Sequence, residues 1–358
     1  MYKIKIRLRV AFLVLAVLAM VTKTVSAQVW PISKAKKWYG KQGWLVGANY
    51  TPAYAINQLE FWQQETFDID QINKEFGWAE KIGMNCMRVY LHHVVWQQDK
   101  AGFKKRMNQV LATARKHRIK IMFVFFDDCW NDTYTVGRQP EPKPGIHNSG
   151  WLKDPGNKIQ TERALMDTLE VYAKDIIFSF RNDKRILLWD LYNEPGQFDQ
   201  HNKSMPLLVN VFKWAREINP SQPLSAGVHD DSETELTRFQ VENSDVITYH
   251  SYDKPDVHQR RIDSLTKASG GRPMICTEYM ARKRGSTFAA ILHILKKQNI
   301  GAINWGLVDG KTQTKYAWDE KDWGDKEPAL WFHDIFRRDG TAYDKAEVEL
   351  IRRLTQKK

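Results

Sequence analysis

From residue 44 onward, short apolar runs alternate with stretches in which apolar residues recur every three or four positions. A run of four to eight apolar residues bounded by turn formers reads as a buried strand, and a 3.6-residue period reads as a helix packed on one face. "WLVGANY" (44–50) predicts a strand and 70–81 a helix; "NCMRVYL" (85–91) predicts a strand and 104–116 a helix. The rhythm continues through "KIMFVFFDD" (120–128), "ILLWDLYNE" (186–194), "PLSAGV" (223–228), "DVITYH" (245–250), "PMICTEY" (273–279) and "GAINWG" (301–306), which makes eight strands. Helical periods follow at 161–180, 206–219, 257–268, 287–297 and 343–354, with only a short one at 233–240 after the fifth strand.

Strands that alternate with helices imply a parallel sheet, and eight such units in this length fit an α/β (β/α)8 TIM barrel better than an open doubly wound sheet. No Gly-x-Gly-x-x-Gly follows the first strand, which argues against a dinucleotide fold. No repeat, Ser/Gly-rich linker or low-complexity tract interrupts the pattern, so residues 28–358 read as a single domain. Two connections exceed ordinary turn lengths: 127–157, with four prolines, Trp130 and Trp151, and 307–329, with Trp318 and Trp323. Both follow strands, which puts them on the C-terminal face of a barrel, where such folds build their sites.

Residues 1–27 have a different pattern. Lys3, Lys5, Arg7 and Arg9 precede an apolar run at 10–21, and Val25-Ser26-Ala27 precede Gln28, the layout of a cleavable secretory signal. The apolar run is well short of the roughly twenty residues that span a bilayer, so a secreted or periplasmic product without a membrane anchor is expected. Loss of the leader removes five basic residues and no acid, lowering the formal charge from +12 to +7. The remaining basic residues are scattered among acids, and no zinc-finger, RNA-recognition or helix-turn-helix spacing is present, which argues against a nucleic-acid partner. Cys86, Cys129 and Cys276 are odd in number and lack zinc spacing, so neither a disulfide framework nor a zinc site is expected. A monomer is the expected state.

Polar residues recur where the apolar runs stop. Asn49 and Tyr50 end the first, Asp127 and Asp128 the third, Asn193 and Glu194 the fourth, His250 and Tyr252 the sixth, Glu278 the seventh and Trp305 the eighth, while Arg88 lies inside the second. In a barrel these ends converge on one bowl. Two carboxylates brought there from different strands are the equipment for glycosidic bond cleavage, one as proton donor and one as nucleophile or base. A lone glutamate at a strand end reads as an ion pair or a helix cap. That reading does not explain two glutamates joined by an Arg, an Asn, a His-x-Tyr and a Trp.

These segments resemble glycoside hydrolase family 5 and its clan A relatives, the cellulase-, mannanase- and xylanase-like barrels. "WDLYNEP" (189–195) looks like the clan's acid/base strand and "CTEY" (276–279) like its nucleophile strand. "YHSY" (249–252), "NWG" (304–306) and "MRVYLHHVVW" (87–96) are similar to its sixth, eighth and second strand segments, and the resemblance runs in order over nearly the whole mature chain. It implies a retaining glycosidase for β-linked glucan, mannan or xylan-type glycans, with Glu278 as nucleophile and Glu194 as acid/base. Arg88 and Tyr252 would hold Glu278 ionised, a like charge nearby would raise the proton affinity of Glu194, and Asn193 would bind the sugar's 2-hydroxyl. His250, Trp305, Asn49, Asp127, Asp128 and Trp130 are the further substrate-binding candidates. The chain departs from the clan after the third strand, where Asp127-Asp128-Cys129-Trp130 stands in place of the usual histidine.

"GLVDGKT" (306–312) ends like a phosphate-binding loop but has three residues between its glycines where that loop needs four. His92-His93 has no metal-ligand spacing around it, so neither a metal nor another cofactor is expected. The rival readings are a catalytically silent barrel that binds carbohydrate, and a metal-dependent or Schiff-base barrel enzyme, for which no ligand cluster or strand-end lysine is evident. The leader reading makes a direct prediction. Protein recovered from the medium or periplasm of an expressing cell should begin near Gln28 by N-terminal sequencing or intact mass, and a membrane-bound product retaining 1–27 would overturn it.

Overall fold

The computed structural model describes residues 28–230, 232, 234–320, 324 and 326–356. The leader expected at 1–27 and Trp323 lie outside the described residues. Eight strands form where the apolar runs predict them: β1 (Val46–Asn49), β2 (Cys86–Tyr90), β3 (Lys120–Asp127), β4 (Ile186–Asn193), β5 (Leu224–Ser225), β6 (Ile247–His250), β7 (Met274–Glu278) and β8 (Gly301–Asn304). All pairings are parallel, in the order β5-β4-β3-β2-β1-β8-β7-β6. The seam between β5 and β6 is closed by a single bridge, in which Val228 N–H donates to Thr248 O (3.0 Å) and His250 N–H to Val228 O (2.8 Å). The result is the (β/α)8 barrel that the pattern implies.

The fifth strand is shorter than the run at 223–228 predicts. The regular ladder ends at Ser225; Gly227 N–H still donates to Tyr192 O of β4 (3.1 Å), but its carbonyl accepts from Gln240 Nε2 (2.7 Å) in place of a neighbouring strand. Gly227 permits this close passage, because a Cβ there would stand 3.0 Å from His250 Nε2 and 3.8 Å from Arg88 Nη2.

Eleven α-helices surround the barrel among the described residues: α1 (Ile32–Gly40), α2 (Gln58–Trp62), α3 (Ile69–Lys81), α4 (His93–Gln98), α5 (Lys100–Lys116), α6 (Arg163–Phe180), α7 (Met205–Ile218), α8 (Glu235–Asn243), α9 (Pro255–Ala268), α10 (Phe288–Lys297) and α11 (Lys345–Thr355). Aspartates and threonines start them: Asp68, Asp99, Thr287 and Asp344 each accept backbone N–H groups of the first turn. The pattern misses α1, α2 and α4. The last two have five and six residues, fewer than two helical turns and so too few to show a repeating period. Helix α1 closes the N-terminal end of the barrel, where its Tyr39 joins Leu45, Met122, Leu187 and Ile275 in a buried cluster. None of the described helices is long and apolar enough to cross a membrane.

The long connection after β8 is tied down from several sides. Arg282, just past β7, donates to the carbonyls of Trp331 (3.1 Å) and Asp334 (3.0 Å) and pairs with Glu347 on α11 (2.6 Å). Asp334 is wholly buried and accepts the Thr314 hydroxyl (2.9 Å); burial, with the charge of Asp309, pushes its carboxyl up to about 7. An unfolded aspartate ionises near pH 3.9, so between about pH 4 and 7 the folded state holds a proton that the unfolded chain has released. Asp334 therefore contributes stability at low pH that is lost as pH rises through about 7. Buried His92 and His147, both lowered to about 4, act with the opposite sign between pH 4 and 6.5. The diagnostic is thus a difference: Asp334→Asn should gain melting temperature relative to wild type as pH rises from 5 to 8, and a pH-independent difference would refute the assignment.

Candidate active site

The C-terminal ends of the strands surround a cleft of about 620 Å³. Beneath it lies Arg88, the middle residue of β2, whose guanidinium is fully buried and does not line the cleft itself. Nε donates to Asp190 Oδ2 (2.8 Å), Nη1 to Asn49 Oδ1 (2.8 Å), to the Tyr90 hydroxyl (2.6 Å) and to Glu278 Oε1 (2.8 Å), and Nη2 to Asn193 Oδ1 (2.7 Å). Burial alone would weaken its charge, but Tyr90, Asp190 and Glu278 hold it fully protonated.

Glu278, at the end of β7, lies among donors. Besides Arg88, Tyr90 donates to Oε1 (3.1 Å) and Tyr252 to Oε2 (2.7 Å). Glu194 follows β4 in a left-handed backbone conformation (φ +46°), which turns its carboxylate off the strand axis. Its Oε1 meets His250 Nδ1 at 2.6 Å, and the Cys129 thiol donates to Oε2 at 3.1 Å. One oxygen of Glu194, one of Glu278 and a ring nitrogen of His250 all lie within 4.8 Å of one another.

The proton affinities differ from the expectation. Burial pushes Glu278 up and the charge of Glu194 adds to this, against His250, Arg88 and Tyr252, so its carboxyl sits above the ordinary range. Burial also acts on Glu194, but the His250 contact, His229 and Cys129 outweigh it and hold the carboxyl well below that range. The expected rise at Glu194 is thus reversed, because His250 Nδ1 stands 2.6 Å from Glu194 and 3.5 Å from Glu278.

The remaining sequence candidates divide into two groups. Asn193, Asp127, Trp130, His250, Tyr252 and Trp305 line the cleft. Arg88, Asn49 and Asp128 do not, which corrects their placement as sugar contacts. Asn49 braces Arg88 and donates to the Thr277 carbonyl (2.7 Å). Asp128 faces the loop after β4, accepting Tyr192 OH (2.8 Å), Gly196 N–H (2.8 Å) and Ser204 OH, and so stabilises the bend that carries Glu194. Asp127 accepts Asn193 Nδ2 (2.9 Å), Trp151 Nε1 (2.8 Å) and Cys129 N–H (3.0 Å), yet burial lifts it to about 7.

Sequence reasoning missed Tyr90, Asp190, Cys129, His147, Asn148, Phe198 and His229. A signal existed for Tyr90, which lies two residues from Arg88 and hence on the same strand face. The long loops supply the outer walls. Trp130 (φ +73°) stacks on His147 (5.3 Å) and approaches Phe198 (5.7 Å), while Trp318 meets Tyr252 edge-on (4.9 Å).

His92 and His93 do meet a carboxylate, Asp154, from the loop after β3. Asp154 accepts both the backbone N–H (2.9 Å) and the ring Nδ1 of His93, and His92 Nε2 faces the Lys153 carbonyl (3.2 Å). These contacts pin the loop to α4. Lys311 of the "GLVDGKT" stretch pairs with Glu60 (2.7 Å).

No family model matches the chain, and no curated protein matches it. Solved structures do. An endo-β-1,4-mannanase from Thermotoga petrophila superposes with a TM-score of 0.57 at 14% identity, over 89% of this chain and 77% of that one. A GH5_18 protein from Streptomyces cattleya, in complex with GlcNAc, gives 0.61 at 12% identity over 88% and 82%. An exo-β-1,4-mannosidase from Opitutaceae bacterium strain TAV5 gives 0.59 at 14% identity over 87% and 60%. At these identities the likeness establishes that the chain has the barrel fold these glycoside hydrolases share.

Proposed function

We propose that the chain is a retaining glycoside hydrolase that cleaves β-linked glycans or oligosaccharides by double displacement, and that it is exported. The observation that carries this reading is the approach of Glu194 and Glu278 oxygens to within 4.8 Å. Retaining enzymes hold their carboxyls about 5–5.5 Å apart, whereas inverting enzymes leave about 6.5–9.5 Å for a water. Glu278 attacks the anomeric carbon, forming a glycosyl ester while the bond to the leaving oxygen breaks and Glu194 delivers a proton to that oxygen. Glu194 then takes a proton from water, the hydroxide attacks the anomeric carbon, and the ester bond breaks to restore the Glu278 carboxylate.

The neighbours assist in defined ways. Arginine has no acceptor, so the Asn193 oxygen must face Arg88 and its nitrogen Asp127. The second N–H of that amide meets only Cys129 Sγ at 3.6 Å, which leaves it for the substrate 2-hydroxyl. Trp305 offers a flat apolar face to the pyranose, and Trp130, Phe198 and Trp318 extend the aromatic lining toward further sugars. Within the glucan, mannan and xylan range, the mannan type is favoured by two neighbours whose names state β-1,4-mannanase and β-1,4-mannosidase. The silent-barrel reading is disfavoured because both carboxylates are in place. A metal-centred reading is disfavoured because Arg88 already supplies a permanent cation 2.8 Å from Glu278.

A matched 2-fluoro glycoside should accumulate as an ester that peptide mass mapping places on Glu278. Glu278→Gln should abolish labelling and lower kcat at least about thousandfold while substrate still binds. Glu194→Ala should slow substrates with poor leaving groups about 10²–10⁴-fold, spare activated aryl glycosides in the first step, and respond to azide. A first product of inverted configuration, or an active Glu278→Gln, would sink the mechanism.

A further inference from the structure

Asn148 is wholly buried, yet neither Oδ1 nor Nδ2 of its side chain meets a hydrogen-bond partner in the protein. Buried amides are nearly always paired, so one left open on both atoms calls for an explanation. The backbone accounts for part of it. Asn148 adopts φ +49°, a conformation asparagine tolerates better than most residues, and it is held by its N–H to Thr312 O (2.8 Å) and its carbonyl from Trp151 N–H (3.0 Å). Glycine would serve that geometry equally well, and none of it uses the amide.

The location supplies the rest. Asn148, Trp151 and Trp305 line both the catalytic cleft and a separate cavity of about 20 Å³, whose wall also includes Thr312, Thr314 and Asp334. That volume holds about one water-sized group. The partition begins at the reacting centre: Tyr90, which touches Glu278, lies edge-on to Trp151 (5.0 Å) and Trp305 (6.0 Å), and those two rings lie 5.9 Å apart. A sugar with its anomeric carbon at Glu278 and a face on Trp305 would lie in the cleft that Asn148 and Trp151 also line.

We propose that Asn148 is a specificity-determining residue that reads two neighbouring hydroxyls of this sugar, the 3- and 4-hydroxyls. The inference rests on the glycosidase reading above. A primary amide presents one donor and one acceptor side by side, which matches adjacent hydroxyls, each able to give and to take a hydrogen bond. With C1 at Glu278 and the 2-hydroxyl at Asn193, the 3- and 4-hydroxyls are the adjacent pair left to be read. Recognition of a free 4-hydroxyl implies that the sugar split off from a 1,4-linked chain is a terminal one.

The test is a cycle of enzyme variants and substrate deletions. An aryl β-glycoside of the preferred sugar is compared with its 3-deoxy and 4-deoxy analogues, using wild type and Asn148→Gly, which keeps the left-handed backbone. Each deletion should lower the wild-type kcat/KM about tenfold to hundredfold. Asn148→Gly should lose a similar factor on the parent glycoside and then be nearly indifferent to the deletions. A purely structural amide would change the melting temperature but leave the deoxy penalties at full size, and that result overturns the proposal. Should the glycine variant not fold, Asn148→Asp keeps the acceptor and removes the donor, so it should lose one deoxy penalty and retain the other; retention of both overturns the proposal. Absence of wild-type turnover on every aryl glycoside would defeat this inference and the glycosidase reading together, whereas wild-type turnover with unchanged penalties defeats this inference alone.

Discussion

The arrangement of the cleft depends on one buried positive charge. A guanidinium taken out of water is tolerated only when its donors are met, and removing one partner of a buried pair typically costs about 3–5 kcal/mol. Arg88 meets this constraint with groups from β1, β4 and β7 as well as its own strand: Asn49, Asp190, Asn193, Glu278 and Tyr90. Each of those side chains is in turn fixed in rotamer by the arginine. The position of Glu278 relative to Asn193 is therefore a property of the barrel core, not of the loops above it.

Glu194 is held by a different principle. It stands one residue beyond the ladder, at φ +46°, a conformation that is unfavourable for a side-chain-bearing residue and persists only where surroundings enforce it. Asp128 enforces it by collecting Tyr192 OH, Gly196 N–H and Ser204 OH into one carboxylate that spans the bend. The strand-end "DD" pair thus splits its work: Asp127 faces the cleft and Asp128 braces the neighbouring turn.

That split shows where the sequence is legible and where it stops. The eight strands can be read because parallel barrel strands are buried on both faces and appear as continuous apolar runs; all strand residues but Lys120 are buried. Strand ends can be read too, so Glu194, Glu278 and Asn193 are identifiable, and Arg88 stands out as a charge inside an apolar run. The direction of a side chain at a strand end cannot be read, and in sequence Asn49 and Asp128 therefore look like the residues that line the cleft. Loop residues are hidden for another reason. Asn148 is positioned by the carbonyl of Thr312, more than 160 residues away, and His147 by that of Tyr316 (2.8 Å); no local pattern encodes such pairings. The proton affinity of Glu194 belongs to the same class, since it is governed by a histidine 56 positions later.

That histidine also explains how two chemically identical side chains could take different roles. Glu278 is hydrogen-bonded to a permanent cation and two phenols, none of which changes protonation near neutral pH, while His250 Nδ1 stands farther off at 3.5 Å. Glu194 is bound to an imidazole, the side chain suited to exchanging a proton in that range. The affinities, up at Glu278 and down at Glu194, follow the same division: burial dominates at Glu278, and the shorter His250 contact outweighs it at Glu194. Under the proposed double displacement, a sugar that displaces water from the cleft would disfavour charge separation between His250 and Glu194 and so favour the proton on Glu194 Oε1. On this account the kind of partner assigns the roles: a nucleophile needs a neighbour that is inert to protons, and an acid/base needs one that is not.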